Sequence, residues 1–128
     1  MFTGKRPTNI GVQSGKLAPC PNTPNCVNSQ SQDPKYQIEP LSYSSTPAEA
    51  MAKLKTVIEN QQKTKIINET ENYLYAEFTS DLMRFVDDVE FLLDDSKKVI
   101  HVRSASRLGK SDLGMNRKRI ETIRAKMN

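Results

Sequence analysis

The sequence predicts an α+β fold: a largely antiparallel sheet of about four to five strands, two helices and an irregular N-terminal arm. Three observations carry this prediction. Strand-like and helix-like periodicities follow one another in the order β-α-β-β-β-β-α. At least three connections are short enough for antiparallel hairpins. All seven prolines lie between Pro7 and Pro47, so the chain beyond is free of that interruption.

The chain has 128 residues, about one domain's worth. Residues 1–35 hold Gly4, Gly11 and Gly15 and few large apolar side chains. Such an arm cannot offset its own ordering entropy, so it either lies on the remaining chain or moves freely. Residues 36–128 then form a single α+β domain, small but sufficient for one core.

Tyr36 to Tyr43 reads as extended, and Pro40 confines any strand there to an edge. A helix start follows. Thr46 is the N-cap, Pro47 fits the first helical position, and Glu49 completes a capping box. Met51, Leu54 and Ile58, flanked by Ala50 and Val57, form an apolar stripe, so the helix runs from about Pro47 to Asn60. Four strand candidates come next: Lys65–Asn68, Tyr73–Phe78, Phe85–Leu93 and Val99–Ser106. In the second, Leu74, Ala76 and Phe78 share one face, and Tyr73, Tyr75 and Glu77 share the other.

A turn around Asp95-Ser96 fixes an expected register for the last hairpin. Phe91 then faces Ile100, and Val89 faces Val102. Asp87 faces Ser104 on that same apolar surface. On the other surface Asp88 faces Arg103 and Glu90 faces His101, where opposite charges support the ladder. After Ser106 the chain is loop-like through Gly114. A final helix runs from about Asn116 to Lys126, with Ile120, Ile123 and Met127 apolar and Arg117, Lys118, Arg119 and Arg124 largely polar-facing.

The net charge is +4 and the pI about 9.1. Residues 1–37 carry +3, residues 38–100 carry −5, and residues 101–128 carry +6. A basic end facing an acidic middle points to internal pairing first and an anionic ligand second. Aromatic and basic residues do not alternate on one surface, which disfavours nucleic acid. No apolar run approaches about 18 residues, and Met1–Pro7 lacks the apolar stretch of a secretory signal. As written, the chain is expected to be soluble and cytoplasmic, or exported if a leader has been removed. One His and two Cys are too few for a tetrahedral site of nitrogen and sulfur ligands, so no metal and no cofactor are expected.

Three blocks resemble a known family, the domain of unknown function 1499 (DUF 1499). They are Cys20-Pro21-Asn22-Thr23-Pro24-Asn25-Cys26-Val27-Asn28-Ser29-Gln30, then Arg84-Phe85-Val86-Asp87-Asp88-Val89-Glu90-Phe91. The third is Ile100 to Arg107, continuing through Ser111-Asp112-Leu113-Gly114 to Asn116–Glu121. The resemblance runs from about Gly11 to Lys126. It implies kinship with bacterial and plastid proteins, many of the bacterial ones carrying a leader, and it supplies no reaction.

Cys20 and Cys26 flank a proline-stiffened stretch. They read as a structural pair, as reduced thiols, as a redox couple without the Cys-x-x-Cys spacing, or as half of a shared zinc site. Asp87 is the anomaly, a carboxylate on an apolar face. It must be bonded, neutral, or turned outward by a bulge at Asp87-Asp88. Its expected neighbours are Ser104 and the basic loop at Arg107. His101 is expected to pair with Glu90, facing away from Ser104 and Ser106, so a triad is not formed. Gly109-Lys110-Ser111 imitates the end of a phosphate loop but lacks its first glycine, which is Ser104 here. Asn68-Glu69-Thr70 matches a glycosylation acceptor, which means nothing without export.

The polar centre is therefore expected to comprise Arg84, Asp87, Asp88, Arg103, Arg107, Asp112, Asn116 and Arg117, with Ser104 and Lys110 beside it. Arg107, Lys110, Ser111 and the start of the last helix form an anion site in this reading. The expected role is a non-enzymatic binding or assembly module for a protein partner or a small anionic ligand. The alternative is a hydrolase-like enzyme with Asp87 as base and Ser104 or Ser106 as the positioned hydroxyl.

Overall fold

The computed structural model describes residues 4–80, 85–108 and 114–128. In chain order its strands are β1 (Val12–Gln13), β2 (Lys16–Leu17), β3 (Cys26–Asn28), β4 (Leu41–Ser42), β5 (Thr64–Glu69), β6 (Tyr73–Thr79), β7 (Val86–Asp94) and β8 (Val99–Ser106). Helix α1 (Pro47–Glu59) precedes β5, and α2 (Met115–Met127) follows β8. The fold is α+β, with the expected element order from β4 onward.

Helix α1 begins where its capping box requires. Thr46 is extended, its Oγ1 accepts the Glu49 N–H at 3.2 Å, and the two side chains meet at 2.9 Å. Ala50, Met51, Leu54, Val57 and Ile58 are buried, as the stripe predicts. Helix α2 starts after Gly114, whose φ of 77° is the left-handed conformation glycine adopts at no steric cost.

The main sheet has six strands rather than four or five. Its order is β3-β8-β7-β6-β5, with β4 also on β8, and every named strand pair is antiparallel. The additional strand is β3, from the segment read as irregular. It pairs Cys26 with Ala105 and Asn28 with Arg103. Without β3 and β4 the outer edge of β8 would leave backbone donors and acceptors without partners beside a buried core.

The β7–β8 register differs from expectation by two residues. The loop runs from Asp95 to Lys98, and Lys98 takes a φ of 57°. Phe91 therefore pairs with Val102, Asp87 with Ser106, Asp88 with Ala105, Glu90 with Arg103 and His101 with Leu92. A shift of two preserves which residues share a face, so the predicted faces survive while the predicted partners change. Pairing is continuous from Val86 to Asp94, so there is no bulge at Asp87-Asp88.

The sheet is covered on both sides. On one side α1 and α2 pack Leu54, Ile58, Ile120 and Ile123 onto Leu74, Val89, Phe91, Ile100 and Val102. On the other side Leu17 joins Tyr73, Tyr75 and Leu92, with Ile10 and Ile67 at the margin. The arm thus lies on the sheet, and the charged face with Asp88, Glu90 and Arg103 is buried beneath it.

Candidate functional site

Alternation along β7 and β8 sends charged side chains to both faces of the sheet. On the helix side Asp87, Ser104, Ser106, Asn116 and Arg119 form one network. Arg119 Nη2 meets Asp87 Oδ2 at 2.7 Å, and Arg119 Nη1 reaches Asn116 Oδ1 at 2.9 Å and Ser104 Oγ at 3.3 Å. The Ser104 hydroxyl donates to Asn116 Oδ1 at 2.6 Å. Asn116 Nδ2 donates to the Asn25 carbonyl at 3.0 Å and to Ser106 Oγ at 3.1 Å. Asn25 in turn donates to the carbonyls of Ser106 and Leu108. The Arg119 guanidinium lies 5.0 Å from the centre of the Phe78 ring, a cation–π contact.

On the arm side a second cluster gathers Glu77, Asp88, Glu90, Arg103 and Arg107. Arg107 grips Asp88 with two donors, at 2.9 and 3.0 Å, and reaches Glu77 at 2.5 Å. Tyr75 donates to Asp88 at 2.5 Å, and Tyr73 donates to Glu90 at 2.6 Å. Glu90 also accepts the Gly11 N–H at 2.8 Å. Arg103 Nη1 lies 3.7 Å from Glu90 Oε2, and Arg103 Nη2 donates to the Pro19 carbonyl at 3.3 Å. Glu90 Oε2 and Arg103 Nε are buried without a hydrogen-bond partner among the described residues.

Burial sets the protonation of this cluster. It pushes Glu90 above the usual carboxylate range, although Tyr73, Gly11 and Arg103 all favour the charged form. It pushes Arg103 down and both tyrosines up, so Tyr73 and Tyr75 are held as donors. Burial acts on Glu77 in the same direction as on Glu90, but hydrogen bonds from Arg6 and Arg107 outweigh it and hold Glu77 low. The bond to Asp88 raises Arg107.

The structure brings the expected residues together in two groups. Asp87, Ser104 and Asn116 meet on the helix side, and Asp88, Arg103 and Arg107 meet on the arm side. Asp87's partner is Arg119, which turns inward rather than facing water; Arg107 bonds to the other face. Arg103 approaches Glu90 rather than Asp88, and it is buried. His101 does not pair with Glu90. Its Nδ1 lies 3.1 Å from Ser29 Oγ and its Nε2 3.9 Å from Asp94, and burial lowers its pKa. Arg117 donates to the Gln37 carbonyl at 2.9 Å and, among the described residues, shares no partner with Arg107. Arg84, Lys110, Ser111 and Asp112, with the Gly109-Lys110-Ser111 motif, lie outside the described residues. Cys20 and Cys26 form a disulfide.

Sequence reasoning missed Arg119, Asn25, Tyr73, Tyr75, Glu77 and Arg6 as members of these clusters. A signal existed for two groups. Arg119 is three residues from Asn116 and adjoins the Ile120–Ile123 stripe, so it borders the buried face. Tyr73, Tyr75 and Glu77 alternate on one face of β6, where an aromatic and acidic strand face calls for a cationic cover. Neither cluster opens into the groove beside α1. That groove, about 660 Å3, is lined by Ser42, Tyr43, Glu49, Lys53, Met127 and Asn128 among others.

Among the described residues no group of His, Cys, Asp and Glu is set to hold a metal ion, and no helix is long and apolar enough to cross a membrane. Residues 16–127 match the family described as Protein of unknown function (DUF1499). No curated protein matches the chain.

Proposed function

The chain belongs to the DUF1499 family, and from that premise, which supplies no reaction, we propose that it acts as a non-enzymatic binding or assembly module. Its ligand is anionic and is taken at the first turn of α2, in the basic C-terminal part of the chain. One observation carries this reading. Arg103, Arg107 and Arg119 are matched to carboxylates, but exposed Arg117 has a carbonyl as its partner among the described residues. No carboxylate among the described residues pairs with it at the first turn of α2, where Lys118 is also exposed. The disulfide supports an oxidising compartment for this module.

The test is a thermal melt in phosphate or sulfate against chloride at matched ionic strength. At 100 times the dissociation constant a bound anion adds about 2.7 kcal/mol. The shift should vanish in Arg117→Ala. No anion-specific shift, or one that Arg117→Ala leaves intact, ends the anion reading.

The hydrolase reading has one observation in its favour: Arg119 bridges Asp87 and Ser104. Against it, Asp87 is neutralised by Arg119, and the buried Ser104 gives its hydroxyl proton to Asn116 rather than to a base. Labelling of Ser104 by a serine-directed fluorophosphonate would favour the enzyme; no labelling fits the binding module.

A further inference from the structure

We propose that residues 4–19 are a displaceable cover, and that the sheet face beneath them is a docking surface for an extended, arginine-bearing segment of a partner polypeptide. From Gly4 to Pro19 only Leu17 is buried. Ile10 packs at the margin of the same apolar cluster, and the rest of the hold is polar and peptide-like. Arg6 donates to Glu77 at 2.7 and 2.9 Å, the Gly11 N–H donates to Glu90, and the carbonyls of Gly4 and Pro19 accept from Arg107 and Arg103. Each is a bond that the main chain, or one arginine, of another extended peptide can make in the same place.

Charge selects the kind of segment. With the cover in place, Arg6, Arg103 and Arg107 face Glu77, Asp88 and Glu90. With the cover away, two guanidinium groups remain against three carboxylates, and Glu77 loses a partner that a planar guanidinium fits with two donors. The vacated face therefore favours a cationic segment over an acidic one.

The present cover also fits imperfectly. Among the described residues, Glu90 Oε2 and Arg103 Nε sit buried beneath it without hydrogen-bond partners. Release to water, or exchange for a segment that supplies those bonds, removes that penalty. The family match begins at residue 16, so Arg6 and Gly11 lie outside it, whereas Glu77, Asp88, Glu90, Arg103 and Arg107 lie within it. The Cys20–Cys26 disulfide fixes the far end of the cover to β3, which leaves residues 4–19 to lift as one flap.

The test uses the full chain and a fluorescent peptide copying residues 4–19 as the probe. Leu17→Ala weakens the apolar anchor, and Gln30→Ala removes the side chain that accepts the Leu17 N–H at 2.9 Å, without touching the core. Either variant should bind the peptide at least tenfold more tightly than the unaltered chain, because the competing closed state is less populated. Arg6→Ala in the peptide should weaken binding about tenfold, as one charge-assisted contact is lost. If Leu17→Ala does not fold, Gln30→Ala carries the same expectation. No binding to a folded variant, or binding indifferent to Arg6→Ala, overturns the proposal. A concentration-dependent dimer of either variant with exchanged arms also overturns it, by making a second copy the occupant.

Discussion

Arg119 Nη2 lies 2.7 Å from Asp87 Oδ2, tying the last helix to the start of β7 inside the helix-side layer. Both side chains are largely removed from water, so neither charge is tolerable alone. Arg119→Ala should destabilise by about 3–5 kcal/mol, because it leaves a buried carboxylate without its partner. Asp87→Asn should cost about 2–4 kcal/mol, since the amide still accepts a hydrogen bond but no longer balances the guanidinium. Lys55→Ala, which breaks the exposed Lys55–Glu69 pair, should be near neutral. Urea unfolding with unchanged slopes measures all three; equal small losses would show that Asp87 is solvated.

The fold was legible where local and tertiary signals agree. Thr46, Pro47 and Glu49 announce α1 from within four residues, and the faces of β6, β7 and β8 follow from simple alternation. The register was less legible. A turn of two or four residues gives one pairing, and moving the turn to Asp95–Lys98 gives another with the same faces, so hydrophobic alternation cannot choose between them. The site was legible as a set of residue types on the right strands, but its partners were not. Asp87 stood out because a carboxylate on an apolar face requires a bond. That the bond comes from Arg119, and that Arg6 and Gly11 descend onto Glu77 and Glu90, depends on contacts between residues far apart in the chain. The arm carries no periodic pattern of its own, so nothing local marks where it lies.

Glu90 and Glu77 should respond to pH with opposite signs. Glu90 has its folded pKa raised above the ordinary 4.5, chiefly by burial. Below 4.5 the folded and unfolded forms are both protonated, and above it the native carboxyl resists ionising, so this contribution to stability is lost as pH rises. Glu77 has its folded pKa lowered, so its contribution is present above 4.5 and lost as pH falls through the lowered value. Relative to the unaltered protein, Glu90→Gln should therefore gain as pH rises from 4 toward 7. Glu77→Gln should lose relative to the unaltered protein as pH rises from below the lowered value to 4.5, and stay level above it. Parallel slopes in pH-stepped urea melts would contradict the assignment.

The disulfide and Asn25 should behave as one unit. Closing the short loop between Cys20 and Cys26 is worth about 2 kcal/mol by loop entropy, so Cys20→Ser with Cys26→Ser should cost that much. Asn25→Ala should cost about 1–3 kcal/mol, because it removes the buried amide that donates to the part-buried carbonyls of Ser106 and Leu108. The bridge holds the loop that presents Asn25, so the triple substitution should fall short of the sum by at least ~0.5 kcal/mol. Full additivity would mean that the loop keeps its shape without the bridge. Reductant added to the unaltered chain should reproduce the double substitution.

Asn116 should matter more than Ser104, although they share a hydrogen bond. The Asn116 side chain satisfies Ser104 Oγ, Arg119 Nη1, the Asn25 carbonyl and Ser106 Oγ. Asn116→Ala strands these buried and part-buried groups together and should cost about 2–4 kcal/mol, near the upper end for a polar network. Ser104→Ala removes one hydroxyl, and Asn116 Oδ1 keeps Arg119 as its donor, so the loss should be near 1 kcal/mol, as for an ordinary hydrogen bond. That ordering holds if the Ser104 hydroxyl is a spoke of the network with Asn116 at its hub. If Ser104→Ala proved the costlier change, the hydroxyl would be the group around which the others are arranged. Its placement beside Asn116 and Arg119 would then have to be explained by something other than holding α2 against the sheet.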